Sequence, residues 1–288
     1  MTESTSVLVL GASGMLGNAM VRVLARDPAL KVVAATRSSG AERHFASNIS
    51  ARFISGMDAE SPDSLANLLA KTLPGVVINC VGVVKQLDDA KSVLASVPIN
   101  SLLPHRLARL CAIGNARLIH VSTDCVFAGI KGNYLESDTP DATDVYGLSK
   151  LLGEVAEAHT VTLRTSIIGH ELCGGHSLLE WFLAQEGWTR GFTKAIFSGL
   201  PTVELARVIR DHVIPNPQLS GLYHVSVDPI DKFDLLTLIA RRYGKDIVID
   251  ADDSLVIDRS LNSDRFRAAT GYVPPSWPDL IATMHQWR

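Results

Sequence analysis

A tyrosine and a lysine four positions apart are spaced to work as one acid–base unit. In the segment DVYGLSKLLGE, Tyr146 and Lys150 stand at i and i+4 of a predicted helix, which brings both side chains to one face. A phenol with a pKa of about 10 is a reluctant acid at neutral pH, and a nearby ammonium lowers such a pKa. The spacing predicts Tyr146 as a proton donor assisted by Lys150, although the same spacing also fits an ordinary pair on a helix surface.

A threonine upstream can complete this set. Thr123 lies in HVSTD, at the end of an apolar run that reads as a buried strand. Open α/β sheets assemble their sites at the carboxyl ends of strands. A hydroxyl placed there can hydrogen-bond a substrate oxygen and align it for reaction.

Three glycines predict a phosphate-binding turn. In VLVLGASGMLG they follow the first apolar run and precede a helical pattern. Glycine allows a tight turn and a close backbone approach to a pyrophosphate, and the helix N-terminus offers N–H groups to it. The residues predicted to contact a dinucleotide here are Gly11, Ser13, Gly14, Met15, Leu16 and Gly17.

The end of the second predicted strand indicates which dinucleotide binds. NAD sites usually place an acidic residue there, whereas this chain has Thr36-Arg37-Ser38. The guanidinium of Arg37 suits a ribose 2′-phosphate, which favours NADP(H), although a solvated arginine is the alternative. Asp58 and the segment Asn79–Gly82 follow the next two strands and fall at the predicted cofactor crevice, while Asn79 could instead tie loops together.

Short apolar runs alternate with helix-length segments up to about residue 169, which predicts an α/β fold with a doubly wound parallel sheet. We expect residues 1–169 to form a Rossmann domain. Residues 170–288 should form mainly a smaller α/β substrate-binding lobe, from which the chain can re-enter the first domain. The strands are expected at 6–10, 31–36, 51–55, 76–82, 117–122 and 160–168, and the helices at 15–26, 62–72, 98–113 and 145–159.

Composition excludes several classes of function. The net charge is −3 without a run of like charges, so a nucleic-acid partner is not expected. The N-terminus shows no basic leader, and the apolar stretch 73–84 is too short to span a bilayer, which favours a cytoplasmic protein. The four cysteines form no Cys-x-x-Cys pair, and Cys173-Gly-Gly-His176 alone is a poor metal site, so we expect no metal and no disulfide framework.

Several ordered motifs give the chain a family resemblance. GASGMLG, STDCVFAGIKGNYLESDTPDATDVYGLSKLLGE and, more loosely, SGLPTVELARVI and RSLNSDRF resemble the dTDP-4-dehydrorhamnose reductase group of extended short-chain dehydrogenases. The resemblance implies a catalytic set of Thr123, Tyr146 and Lys150, with Lys150 also holding the nicotinamide ribose. It further implies that Asp58 and the segment containing Cys80, Val81 and Gly82 contact adenine and line the cofactor. Asn100 matches a helix asparagine that supports the active site.

Cys125 bears on the reaction type. Related 4,6-dehydratases place Asp-Glu after this threonine, because eliminating water needs both a proton donor and a base. Here the pair is Asp124-Cys125, and a thiol is a poor substitute for a carboxylate base. His120 lies an odd number of residues away along a strand, so no base is expected beside Cys125 to make it a nucleophile.

Together these features predict an NADPH-dependent reductase of a nucleotide-linked 4-keto-6-deoxy sugar, serving surface polysaccharide biosynthesis and compatible with a homodimer. Two alternatives stay open. One is a nucleotide-sugar 4-epimerase, which keeps NAD tightly bound. The other is a non-catalytic NADP-binding regulatory subunit resembling that of methionine adenosyltransferase, which shares the expected fold.

Overall fold

The computed structural model describes residues 4–83, 88–172 and 174–288. Its strands are β1 (Thr5–Leu10), β2 (Leu30–Ala35), β3 (Ala51–Ile54), β4 (Val76–Asn79), β5 (Arg117–Thr123), β6 (Thr160–Thr165), β7 (Ile167–Ile168), β8 (Trp188–Phe192), β9 (Ala195–Phe197), β10 (Leu200–Pro201), β11 (Gly221–His224), β12 (Ile230–Asp231), β13 (Val248–Asp252) and β14 (Ile257–Asp258). Its α-helices are α1 (Met15–Leu24), α2 (Pro62–Thr72), α3 (Val93–Ser96), α4 (Leu103–Ile113), α5 (Val145–Leu152), α6 (Leu178–Ala184), α7 (Thr202–Val208), α8 (Lys232–Tyr243), α9 (Asp264–Thr270) and α10 (Trp277–Gln286).

A seven-stranded sheet forms the centre of the described chain, in the order β11-β6-β5-β4-β1-β2-β3. Every neighbouring pair in this sheet is parallel, as the alternation of strands and helices predicted. The strand order reverses between β1 and β4, which pair from Val7↔Val76 to Leu10↔Asn79. A crevice for ligands opens beyond the carboxyl ends of the strands at such a reversal.

Both faces of the sheet are covered by helices, which explains why its strands are almost continuously apolar. On one face, α1 and α7 pack against β1 and β6 through residues such as Met20 and Leu205. On the other face, α2 and α4 bury Leu65 and Leu107 against β1 and β4. No helix in the described part of the chain is long and apolar enough to cross a membrane.

After residue 169 the chain contributes one strand and one helix to the layers of the central sheet. Strand β11 pairs with β6 in the central sheet, and α7 belongs to the core that α1 forms. The remaining strands of this region form small sheets, among them β12-β9-β14 and β13-β8. This second lobe packs α6, α8 and α10 around Phe182, Leu235 and Ile281.

Several predicted boundaries were wrong, among them those of β4, of the helix expected to begin at Pro98 and of α5. Strand β4 stops at Asn79 because the side chain of Asn79 accepts the Val81 N–H and turns the chain. The helix expected to begin at Pro98 begins at Val93, and a wider π-helical turn (Val97–Leu102) accommodates the proline. Helix α5 ends at Leu152, and its C-cap Gly153 lies too close to the Asn100 carbonyl for any larger side chain.

Candidate functional site

The glycine turn between β1 and α1 has the backbone that the sequence predicted. Gly11 adopts φ +74°, a left-handed conformation that favours glycine, and its carbonyl accepts the Gly14 N–H at 2.9 Å. A Cβ on Gly17 would collide with this carbonyl, so only glycine at position 17 allows the helix to lie this close to the turn. Gly14 caps α1 without any side-chain hydrogen bond, which leaves the first-turn N–H groups available to an anion.

Two buried asparagines hold the opposite side of the crevice. Asn79 accepts the Val81 N–H at 3.1 Å and contacts His120 Nδ1 through its amide nitrogen at 3.2 Å. Asn100 accepts the Val83 N–H at 3.0 Å and donates to Ser149 Oγ at 3.1 Å. Asn100 thereby joins the loop after β4 to helix α5, which carries Tyr146 and Lys150.

A cavity of about 280 Å³ lies between these elements. It brings together most of the residues predicted from the sequence, on three sides. Its lining comprises Gly14, Met15, Leu16, Asn79, Cys80, Val81, Gly82, Val83, Val121, Ser122, Thr123, Asp124, Cys125, Tyr146, Lys150, Thr165, Ser166 and Ile167.

Five of the residues predicted to contact the cofactor are not in this lining. Gly11 and Gly17 shape the turn from behind, and Ser13 is exposed beside it. Arg37 is exposed just beyond β2, where its backbone carbonyl accepts the Gly56 N–H. Asp58 is also exposed, and its carboxylate accepts the Glu60 N–H at 2.9 Å, a local turn contact.

A chain of hydrogen bonds connects Tyr146 to a buried carboxyl group. The Thr123 hydroxyl donates to Asp124 Oδ1 at 3.1 Å and accepts the Cys125 N–H at 3.1 Å. A side-chain hydrogen bond also links Thr123 to Tyr146. A hydroxyl carries one hydrogen, so Thr123 can donate to Asp124 or to the phenol oxygen, but not to both at once.

Lys150 is buried beside these hydrogen-bonded residues, with 6% of its surface exposed. Its ammonium donates to the Val121 carbonyl at 2.8 Å. Burial lowers the pKa of Lys150 to about 8, against the opposing influence first of Glu154 and then of Cys80. The side chain is therefore mainly cationic at neutral pH, and the lysine is held at a fixed point behind the tyrosine.

The expectation that Lys150 lowers the pKa of Tyr146 was wrong for the described arrangement. The pKa of Tyr146 is raised, first by burial of the phenol and then by Cys125, while the Thr123 hydrogen bond acts in the opposite direction. Asp124 and Asp144 raise it further. Tyr146 is therefore protonated across the neutral range, as a proton donor must be.

We expect the side-chain NMR resonances of Lys150 to titrate with a midpoint near pH 8. Replacing Glu154 with glutamine removes the carboxylate that raises this pKa, so the midpoint should move to lower pH. The exposed Glu157 provides a control, because Glu157→Gln should leave the midpoint in place. A wild-type midpoint at the ordinary lysine value would contradict the burial of this ammonium.

Two of the described cysteines have thiols that burial keeps protonated. Burial raises the pKa of Cys80 and of Cys111 to about 12, so neither is a thiolate at neutral pH. His120, the residue weighed as a base for Cys125, is buried against Asn79, and its pKa is well below the ordinary value, first because of burial. Cys173 lies outside the described residues, so the Cys173–His176 pair stays untested.

Sequence reasoning did not identify several residues at the site. Thr165, Ser166 and Ile167 line the cavity because β6 ends beside β5, and the side chain of Ser166 hydrogen-bonds to Asp124. Their position at the end of a predicted strand could have indicated them, since the carboxyl ends of parallel strands meet at one edge of the sheet. Glu154 was also missed; it lies just beyond the end of α5, and its carboxylate raises the pKa of Lys150.

The reversed strand order, the glycine turn and the Tyr146–Lys150 pair beside Thr123 define an extended short-chain dehydrogenase fold. The family model for the RmlD substrate binding domain matches residues 5–252, and the chain belongs to this family.

Individual relatives agree with this assignment. The chain is 32% identical over 156 residues to a dTDP-4-dehydrorhamnose reductase of Mycolicibacterium smegmatis, covering 52% of this chain and 40% of that protein. The chain thus spans about half the length, or less, of the curated relatives it matches.

Solved structures extend the likeness across the whole fold. The dTDP-4-dehydrorhamnose reductase of Bacillus anthracis in complex with NADP superposes with a TM-score of 0.78 at 18% identity, covering 99% of this chain and 100% of that one. The UDP-Glc/GlcNAc 4-epimerase of Campylobacter jejuni reaches 0.79 at 12% identity, covering 99% of both chains. Since a reductase and an epimerase match equally well, these superpositions show the fold alone.

Proposed function

We propose that this protein is an NADPH-dependent reductase of a nucleotide-linked 4-keto-6-deoxy sugar, acting in surface polysaccharide biosynthesis. The observation that carries the proposal is the convergence of Thr123, Tyr146 and Lys150 on one wall of a cavity whose other wall is the glycine turn. A phenol kept protonated by burial supports reduction, because delivery of a hydride to a ketone requires a proton donor at its oxygen. Membership of the RmlD family adds independent support.

The chain's own residues fit NADP(H). The uncapped first turn of α1 supports pyrophosphate binding, and Gly11, with φ +74°, lies close to the Cys80 backbone, where a Cβ would make tight contacts of 3.1 Å. The exposed guanidinium of Arg37 makes no ion pair with any described residue, which supports a role in binding the 2′-phosphate. Asp58, Cys80, Val81 and Gly82 are assigned to the adenosine side and the floor of the cofactor site.

Each catalytic residue has a separate task in this proposal. NADPH, when bound, supplies the hydride that reduces the keto carbon. Tyr146 donates its proton to the keto oxygen, Thr123 fixes the direction of the phenol, and Lys150 holds the nicotinamide ribose. Asp124 accepts a hydrogen bond from the Thr123 hydroxyl and so orients that hydroxyl.

Turnover of two substrates distinguishes this function from its alternatives. Given a nucleotide-linked 4-keto-6-deoxyhexose, the purified protein should oxidise one NADPH for each product formed. Given the parent nucleotide hexose, it should release no water, because Cys125 stands where dehydratases carry a carboxylate. Interconversion of 4-epimers without net NADPH consumption would indicate an epimerase. Absence of turnover without a partner enzyme would indicate a regulatory subunit.

We expect Arg37→Ala to weaken NADPH binding about ten- to hundredfold, the usual effect of losing a charge-assisted hydrogen bond. NADH affinity should change little, because NADH lacks the 2′-phosphate. Arg52 is a matched exposed arginine on the neighbouring strand β3, and Arg52→Ala should leave both affinities unchanged. An equal loss of affinity for both cofactors in Arg37→Ala would show that the 2′-phosphate assignment is wrong.

The proposed partners follow from the substrate class. A nucleotide-diphosphate sugar is the expected ligand of the cleft and the second lobe, and no nucleic acid is expected. A homodimer is proposed with support from Leu148 and Leu152, which are exposed on one face of α5. We propose a cytoplasmic location because NADPH and nucleotide sugars are cytoplasmic metabolites.

A further inference from the structure

A buried histidine stands behind the wall of the cavity that faces the glycine turn. His120 on β5 is 1% exposed and pairs in register with Asn79, the last residue of β4. It lies outside the cavity lining, and the proposed mechanism gives it no task. Burying a polar side chain costs free energy unless its polar groups are paired, so the contacts of this ring indicate what it does.

The hydrogen-bond partners of Asn79 fix where the imidazole hydrogen lies. Burial, and then Lys150, lower the pKa of His120 well below its ordinary value, so the ring is neutral and carries one N–H. The Asn79 oxygen accepts the Val81 N–H at 3.1 Å, so the amide nitrogen is the atom that faces His120 Nδ1 at 3.2 Å. A ring nitrogen that accepts this N–H holds no hydrogen of its own. The imidazole hydrogen is therefore on Nε2.

The other ring nitrogen has no hydrogen-bond partner in the described part of the chain. Nε2 of His120 is buried, and no described residue accepts its hydrogen. A buried unpaired donor costs stability, so Nε2 does not account for a histidine at this position. Among the described residues, the acceptor at Nδ1 is the one hydrogen-bonding contribution that the side chain makes.

The amide that His120 contacts shapes the loop after β4. Asn79 turns this loop through the Val81 N–H, and both Cys80 and Val81 line the cavity. The loop lies directly against the glycine turn, because a Cβ placed on Gly11 would come within 3.1 Å of the Cys80 backbone and of Val81 Cγ2. If the Asn79 amide rotated, Val81 would lose its acceptor and this wall of the cavity would lose a contact that holds it.

We propose that His120 is a positioning residue for the cofactor site: by accepting at Nδ1, it keeps the Asn79 amide in the orientation that binds the Val81 N–H. The inference rests on the proposed binding of NADP(H) in this cavity. Asn100 has the same arrangement further along the loop, where its oxygen accepts a backbone N–H and its nitrogen donates to Ser149. His120 thus acts on the cofactor site through Asn79.

The first test locates the ring hydrogen in the ligand-free protein, by NMR of the ring nitrogens of His120. In the wild type we expect a hydrogen on Nε2 and none on Nδ1. Asn79→Asp replaces the amide N–H with a carboxylate oxygen, so Nδ1 should gain a hydrogen in that variant. A wild-type ring with its hydrogen on Nδ1 would overturn the inference, because such a ring could not accept from Asn79.

Substitutions of His120 separate the acceptor from the bulk of the ring. The side-chain oxygen of asparagine can take the place of Nδ1, whereas that of glutamine reaches the place of Nε2. His120→Leu and His120→Gln should therefore speed hydrogen exchange of the Val81 amide and weaken NADP⁺ binding about tenfold, the effect of a lost buried hydrogen bond. His120→Asn should keep both quantities near their wild-type values.

Leu118→Ala controls for loss of stability alone. Leu118 is a fully buried residue two positions earlier on β5 and lies outside the cavity lining. The variant should be less stable because it leaves a cavity in the core, yet its folded form should bind NADP⁺ like the wild type. The inference is overturned if His120→Asn binds NADP⁺ as weakly as His120→Leu, or if both bind it normally.

Failure of the proposed function has a different signature. A wild-type protein that binds neither NADP⁺ nor NADPH would refute the proposed cofactor site. The position of the ring hydrogen and the exchange rate of the Val81 amide would still decide whether His120 holds Asn79 and the loop.

Discussion

Tyr146→Phe should lower the turnover number about 10²- to 10⁴-fold, the usual contribution of general acid catalysis. The substitution removes one oxygen atom and keeps the ring that packs in the cleft. Without the hydroxyl, negative charge would develop on the keto oxygen with no proton to neutralise it. Because burial raises the pKa of Tyr146, we also expect activity to fall through ionisation of this tyrosine only at a pH above the neutral range.

The measurement is NADPH oxidation at saturating 4-keto sugar, with cofactor affinity determined separately. A matched control is Tyr223→Phe, which removes the hydroxyl of a core tyrosine on β11, outside the cavity lining. NADPH affinity should stay near the wild-type value in both variants, since neither ring is lost. If folded Tyr146→Phe turned over normally, another group would have to supply the proton.

The second large effect concerns stability. Arg164→Leu should reduce the free energy of unfolding by about 3–5 kcal/mol, the cost of leaving a buried charge without its partner. The Arg164 guanidinium, 4% exposed, binds Glu154 through two hydrogen bonds of 2.7 Å, and the Ser122 hydroxyl donates to the same carboxylate at 2.8 Å. Removing the arginine leaves the Glu154 carboxylate with little access to water and, among the described hydrogen bonds, only the one from the Ser122 hydroxyl.

The same arginine connects the segment that follows α5 to strand β11 of the central sheet. Its NH1 contacts His224 Nε2 at 3.3 Å, and His224 Nδ1 contacts the Tyr134 carbonyl at 3.0 Å. Glu154, its partner, lies just beyond the end of α5 and raises the pKa of Lys150. Arg164 therefore stabilises the fold and fixes the carboxylate that keeps Lys150 cationic.

Urea denaturation of three variants separates the charge effect from simple loss of packing. The double variant Arg164→Leu/Glu154→Leu should be more stable than Arg164→Leu, because it removes the orphaned carboxylate as well. Arg190→Leu breaks an exposed pair with Asp252 at 3.5 Å and should change the free energy of unfolding little. A loss in Arg164→Leu no greater than that in Arg190→Leu would contradict the proposed role of the buried pair.

The sequence by itself determined the features that depend on local backbone geometry. Continuous apolar strands between helices require a covered parallel sheet, and Gly11 and Gly17 mark a turn that tolerates no larger side chain. The spacing of Tyr146 and Lys150 is fixed by the helical repeat, so their common face follows without any knowledge of packing. The Tyr146–Lys150 pair and the glycine turn were predicted on these grounds, and the fold and family were confirmed. The full catalytic set with Thr123 was implied by the family resemblance and stays a prediction.

Tertiary structure decided the features that depend on burial and on contacts between distant segments. The pKa of Tyr146 rises because packing removes water from the phenol, an effect larger than any favourable neighbour. Helix α5 stops where Gly153 meets Asn100, which lies on another helix. Arg259 reaches the neighbourhood of Asp124 across more than a hundred positions of sequence because β14 joins the sheet beside β9. Such contacts depend on how the helices and strands pack, so they cannot be predicted from the spacing of residues along the sequence.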